Sequence, residues 1–194
     1  ADARGLQAHQ SLSKLRPGDC FAGPTSARLW GIPLPARLER DARLHVSSLL
    51  PTRALRRAGV VGSHRIDELP VSRKGLPVTG IWSTCRAVAG LVTTEELVCA
   101  IDYTITATRR RPALSSPDAL EGYLAEHLHH PGIVELRRAV ARSRVGAWSP
   151  RETVLRLLLV GAGIPEPELN SSLWLPDGRE LIPDLSWQSY RVAA

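Results

Sequence analysis

The chain has 194 residues, 43% of them hydrophobic and 23% charged, which is enough apolar material for one or two small cores and excludes a disordered polymer. No run approaches the roughly 18 apolar residues of a bilayer-spanning helix, so no membrane partner is expected. The formal charge is +6, and all but two of the 25 cations are arginine, the exceptions being Lys14 and Lys74; guanidinium groups suit planar carboxylate and phosphate partners, so charge alone leaves nucleic acid as an open candidate.

Cys20, Cys85 and Cys99 are odd in number and widely spaced, which points away from a disulfide framework or a zinc knuckle and towards a reducing cytoplasm. The opening residues lack the basic, apolar and small-residue succession of a signal peptide. No methionine is present, so the start is read as processed, trimmed or left out.

In chain order, Ala3 to Leu15 reads as a short helix stopped by Arg16-Pro17-Gly18-Asp19. From Cys20 to Thr79 short apolar stretches alternate with Pro and Gly, which predicts strands and turns interrupted by one helix over Thr25–Gly31. After Trp82 the period lengthens. Ser83–Leu91 predicts a helix, and Thr93 with Glu96 has capping-box spacing for a second helix reaching about Thr106. Ser116-Pro117 opens a third that continues through Leu128, and Ile133 to about Arg144 forms a fourth. That fourth helix places Ile133, Leu136 and Val140 on one face, with Arg137, Arg138, Arg142 and Arg144 over much of the rest.

Ser149-Pro150-Arg151-Glu152 announces a fifth helix, with a serine cap, a proline in the first turn and a glutamate three residues after the cap. Its residues Val154, Leu155, Leu157, Leu158, Leu159 and Val160 are apolar nearly all round, so it is expected to be buried. Gly161-Ala162-Gly163 closes it, Pro165-Glu166-Pro167 is an extended loop, and Ser172–Pro176, Arg179–Trp187 and Tyr190–Ala194 read as strands, the first two joined at Pro176-Asp177-Gly178.

Glu152 and Asp184 are the carboxylates with chemical promise. Brought together they would hold a divalent cation, which polarises a phosphoryl oxygen and lowers the pKa of an attacking water. Structural roles compete, because Glu152 is also spaced to cap the helix at Ser149 or to pair with Arg156 one turn on. Elsewhere, His64-Arg65 is either a phosphate-binding or catalytic pair or a local hydrogen-bonding feature. Arg86 and Asp102 are expected to form an internal ion pair. His127 and His130 have metal-ligand spacing but sit with His129 at a helix end, where imidazoles commonly meet carbonyls. The five tryptophans, Trp30, Trp82, Trp148, Trp174 and Trp187, are expected to fill cores and hinges.

The run Ser149-Pro150-Arg151-Glu152-Thr153-Val154-Leu155-Arg156, then Ala162-Gly163-Ile164-Pro165-Glu166-Pro167-Glu168-Leu169-Asn170, Asp177-Gly178, Pro183-Asp184-Leu185-Ser186-Trp187 and Tyr190-Arg191-Val192-Ala193 resembles the start of a bacterial domain related to very-short-patch-repair endonucleases of the PD-(D/E)xK superfamily. The resemblance implies Glu152 and Asp184 as catalytic and metal-binding residues, with magnesium or manganese as cofactor. In that family the last strand continues into a glutamate, tyrosine, aspartate, glycine run and a later histidine, so the chain is expected to hold an incomplete site. Phe21-Ala22-Gly23-Pro24-Thr25-Ser26-Ala27-Arg28-Leu29-Trp30-Gly31, Gly62-Ser63-His64-Arg65, Pro77-Val78-Thr79, Arg86 and Ala100-Ile101-Asp102 resemble the C-terminal domain of AbiEi-type antitoxins. Actinobacterial proteins of unassigned function join the two regions in this order.

The expected fold is therefore α+β, with an antitoxin-like region of short strands and helices over 1–144 and an incomplete nuclease-like helix with antiparallel strands over 145–194. DNA is the expected partner, contacted by Arg137, Arg138, Arg142, Arg144, Arg151 and Arg156, and no small-molecule cofactor is expected. The alternative is a non-catalytic antitoxin-like module that binds DNA or a protein partner of toxin–antitoxin type.

Overall fold

The computed structural model describes residues 15–49, 51–65 and 69–194; except for Leu15, the first expected helix lies outside them. The fold is α+β, with seven α-helices among the described residues and strands in mixed and antiparallel sheets. Two compact units divide it. One comprises Ala1–Val92 with His129–Glu135, the other Thr93–Leu128 with Leu136–Ala194, whereas the sequence reading placed its boundary between residues 144 and 145.

The first unit is built on β1 (Cys20–Phe21), β2 (Leu44–Leu49), β3 (Val60–Arg65), β4 (Val71–Arg73) and β5 (Leu76–Val78). They lie in the order β3-β2-β1-β5-β4, with parallel pairing of β2 to β3 and of β1 to β5 and antiparallel pairing elsewhere. Period-two alternation sorts the faces: Leu44, Val46 and Val60 join Phe21, Leu29, Leu76 and Val78 in the apolar cluster, while His45, Ser47, Val61 and Ser63 belong to the opposite parity. Gly62 is required by a close approach, since a Cβ there would sit 2.2 Å from the Leu55 carbonyl oxygen.

Helix α1 (Gly23–Trp30) takes Pro24 in its first turn and ends on Gly31 at φ 80°, the asymmetry that proline and glycine favour at helix ends. It begins two residues earlier than the sequence reading. After the short α2 (Ala36–Glu39), α3 (Ile81–Ala89) packs against α1. Their contact is pinned by hydroxyls, with Ser26 Oγ and Thr79 Oγ1 each 2.8 Å from Thr84 Oγ1. Buried polar groups must find partners, and these three find one another.

The second unit contains α4 (Thr94–Ile105), α5 (Pro117–Glu126), most of α6 (Ile133–Arg142) and α7 (Pro150–Gly161). Thr93 and Glu96 form the expected capping box on α4, and Ser116 caps α5. Helix α5 stops at Glu126, short of the expected Leu128, where His127 stacks on Tyr123 with centroids 4.0 Å apart and its Nδ1 lies 2.8 Å from the Tyr123 carbonyl. That is a helix-end role for this imidazole, not a metal site.

Beyond α7 the strands are β6 (Glu168–Leu169), β7 (Leu173–Trp174), β8 (Glu180–Leu181), β9 (Leu185–Trp187) and β10 (Val192–Ala193). Sheet β10-β9-β6 and hairpin β7-β8 are separate, so the single strand expected over Arg179–Trp187 is two. Pro183 stands in the break and has no N–H for a ladder. Trp174 is 71% exposed and fills no core, contrary to expectation.

Among the described residues no helix is long and apolar enough to cross a membrane. Cys20, Cys85 and Cys99 form no disulfide with one another and all are buried. The Cys99 thiol contacts the Pro150 carbonyl at 3.6 Å, and burial, helped by the charge of Asp102, pushes it up to about 11. At pH 7.5 its thiolate fraction is then lower by about a hundredfold than for an ordinary cysteine. A disulfide reagent added to native protein is expected to find no fast thiol and to titrate all three after denaturation. A rapid native-state reaction at Cys99 would contradict this packing.

Candidate functional site

Ser149 caps α7 as its sequence position requires, its Oγ accepting from the Glu152 backbone N–H at 3.3 Å. The Glu152 side chain does not complete a capping box on Ser149. Its Oε2 accepts instead from the Trp148 N–H at 2.7 Å and from Asn170 Nδ2 at 2.7 Å. The residue is 9% exposed, and no donor among the described residues reaches Oε1.

Asp184 stands immediately before β9 and is exposed. Its carbonyl accepts from the Asn170 N–H at 3.2 Å, and its carboxylate has no hydrogen-bond or ion-pair partner among the described residues. Asn170 therefore joins the two elements, touching Glu152 through its side chain and Asp184 through its backbone. It adopts φ 48°, a left-handed conformation that asparagine tolerates better than most residues. A second bond from Nδ2 to the Gly146 carbonyl at 2.9 Å holds the amide in place. Gly146 has φ 116°, and a Cβ there would lie 2.9 Å from Leu169 Cβ, so glycine is what lets this joint close onto β6.

Beneath the site lies a buried charge network. Asp102 on α4 and Arg156 on α7 are 0% and 1% exposed and meet at 3.2 Å. Asp102 also accepts from the Arg144 N–H at 2.7 Å and from Thr153 Oγ1 at 3.0 Å. Arg156 donates further to Glu166 Oε1 at 2.8 Å and to the Arg142 carbonyl at 2.8 Å. Burial pushes the Asp102 carboxyl up from its ordinary value against the pull of those donors.

These contacts correct several expectations. Asp102 pairs with Arg156 in place of Arg86, and Arg156 therefore pairs with neither Glu152 nor phosphate. A guanidinium that is 1% exposed cannot reach a DNA backbone. Nor is α7 buried all round: Val154, Leu155 and Leu158 are 43%, 41% and 66% exposed, because Glu152, Thr153 and Arg156 occupy the inward face.

The other arginines are exposed but unequally available. Arg142 pairs with Glu95 at 2.6 Å, Arg144 with Glu166 at 3.0 Å, and Arg137 donates to the Leu124 carbonyl at 2.7 Å. Arg138 and Arg151 have no partner among the described residues. Among the described residues, no group of three or more His, Cys, Asp or Glu side chains is placed to hold a metal ion. Asn170 is the residue that sequence reasoning left without a role. Its only signal is its place between the helix and the strand in the quoted run, and nothing in that spacing shows that its amide turns back to Glu152.

Compared with protein-family models, with curated proteins and with solved structures, the chain has no match.

The network makes a stability prediction. Arg156→Met strands a buried carboxylate and is expected to lower unfolding free energy by about 3–5 kcal/mol, the usual cost of breaking a buried ion pair. Combining it with Asp102→Asn removes the stranded charge and should cost clearly less than the sum of the two single changes. Urea titrations of the four proteins check this; additive losses, or a single-variant loss below about 1 kcal/mol, would show the pair to be energetically idle.

Proposed function

We propose that this is a DNA-processing protein whose α7 helix and β9 strand carry a nuclease-like site for a divalent ion, with Glu152 and Asp184 as its carboxylates. The observation that carries this reading is the Asn170 link. It ties the first turn of the helix to the start of the strand, and Glu152 Oε1 and the Asp184 carboxylate remain without protein partners among the described residues. The resemblance of 149–194 to very-short-patch-repair-type endonucleases agrees with the same two residues.

The donor set suits magnesium or manganese better than zinc. Hard cations take oxygen ligands, and magnesium is commonly held by only one or two carboxylates with water and substrate phosphate completing the shell. When bound, such an ion supplies Lewis acidity at the phosphoryl group and an activated water. The protein's own part is positional: the Trp148 N–H and the Asn170 amide fix one oxygen of Glu152 and leave the other open. Arg138 and Arg151, without partners among the described residues, supply positive charge for the phosphate backbone.

A second reading has its own support. Glu152 Oε2 is already engaged at the helix start, which suits a structural carboxylate in a non-catalytic, antitoxin-like module that binds DNA or a protein. The two readings separate in one experiment, DNA binding and cleavage measured at several salt concentrations with and without magnesium or manganese. Metal-dependent cutting is expected of protein whose nuclease-like domain includes the acidic continuation of the last strand, lost by at least about a hundredfold in Asp184→Asn, with the melting temperature unchanged because Asp184 is exposed. Cutting that survives the substitution rejects the site. Salt-dependent, metal-independent binding without cutting favours the second reading, and absence of salt-dependent binding counts against DNA in both.

A further inference from the structure

The first unit contains a cleft of about 660 Å³ that the proposed nuclease site does not use. Strand alternation makes its floor: the positions of β2 and β3 opposite in parity to the apolar cluster, His45 and Ser47 with Val61 and Ser63, all line it. Parallel pairing sets His45 beside Val61 and Ser47 beside Ser63. A face of a sheet that would ordinarily be apolar thus carries an imidazole and two serines along the cleft, the Ser63 hydroxyl donating to the Val46 carbonyl at 3.3 Å.

Nitrogen-bearing side chains ring this floor. Arg86 on α3 and His130 line the cleft, as does His64 of β3, whose register beside Ser48 gives it the parity of the apolar cluster, and Glu135 is the one carboxylate among the lining residues. Arg86 Nη1 donates to the Pro131 carbonyl at 3.1 Å, which fixes the guanidinium at this wall. The same wall is closely packed, since a Cβ on Gly132 would fall 2.5 Å from the Arg86 carbonyl oxygen. His64 is exposed and has no partner among the described residues. His45 is oriented too. Its Nε2 lies 3.6 Å from Asp41 Oδ2, and a Cβ on Gly23, another lining residue, would come 3.9 Å from its Nδ1.

We infer that this cleft is a binding site for a small organic anion carrying a phosphate or carboxylate group. Its volume falls in the range of small-molecule pockets, about 300–1,000 Å³, in which a few placed polar groups fix the ligand. The guanidinium of Arg86, with its fork of donors, receives the anionic group at the wall of the cleft. The Ser63 hydroxyl and His45 Nδ1 take polar groups of the ligand body, and Glu135 accepts from a hydroxyl or amine. Burial lowers the His45 pKa, so this imidazole acts as a neutral hydrogen-bonding group. Neither DNA binding nor the Glu152–Asp184 site is needed for this inference.

The test is a titration of the whole protein with inorganic pyrophosphate, adenosine monophosphate and citrate, followed by calorimetry and by amide shifts of Ser63 and His64. At least one probe is expected to bind saturably at one site with Kd below about 1 mM; the first two against citrate distinguish phosphate from carboxylate. Ala87→Trp, which fills the cleft from an exposed position, should weaken binding about tenfold or more with unchanged melting, and Arg86→Lys, which keeps the charge but loses the fork of donors, should weaken it as well. If no probe binds, or if binding survives both substitutions, the inference is wrong.

Discussion

The second unit is organised around one buried ion pair, Asp102 with Arg156. Two fully desolvated charges are costly unless their remaining donors and acceptors find partners, and the surrounding chain supplies most of them from Thr153, the Arg144 N–H, the Arg142 carbonyl and Glu166, with Arg156 Nε left without one among the described residues. Satisfying that pair decides which face of α7 turns inward. Hydrophobic burial of a leucine offers about 1.5–3 kcal/mol, whereas an unpaired buried charge would cost more, so Leu155 and Leu158 stay at the surface. With α7 held in this rotation, Glu152 lies on its inward face, where Asn170 reaches it.

What could be read from sequence was what local physics decides. Serine and threonine caps, proline in first turns and glycine at Gly31 each act within a few residues, and the helices begin and end close to where those signals place them. Partner choice was not legible. Arg156 and Asp102 are 54 residues apart, and nothing in a helical period distinguishes that pairing from the expected Arg86–Asp102 pair. The face of α7 was misread for the same reason: counting apolar side chains gives a buried helix, but the ion pair across to α4 outweighs the count. Pro183 was visible, yet its consequence, two strands assigned to different sheets, depends on β8 pairing with β7 while β9 pairs with β6 and β10.

The candidate site shows the same division. Glu152 and Asp184 stood out by type and by resemblance, and the arginines by charge. Asn170 did not, because an asparagine in a loop usually signals only a turn. Here its left-handed backbone lets one residue bond Glu152 with its amide and the Asp184 carbonyl with its N–H. The result is a pair of carboxylates on adjoining elements, one half restrained and one open to solvent. Of the six arginines expected to meet phosphate, Arg138 and Arg151 are unpaired among the described residues, three more are exposed but engaged, and Arg156 lies in the core.

Manganese bound between the helix and strand carboxylates would broaden nearby amide signals through its unpaired electrons, and this is the most direct measurement. Substoichiometric manganese is expected to bleach the resonances of Glu152, Asn170 and Leu185 first, with the effect lost in Glu152→Gln and Asp184→Asn. Broadening that is uniform, centred elsewhere, or indifferent to both substitutions would contradict a shared cation at this site.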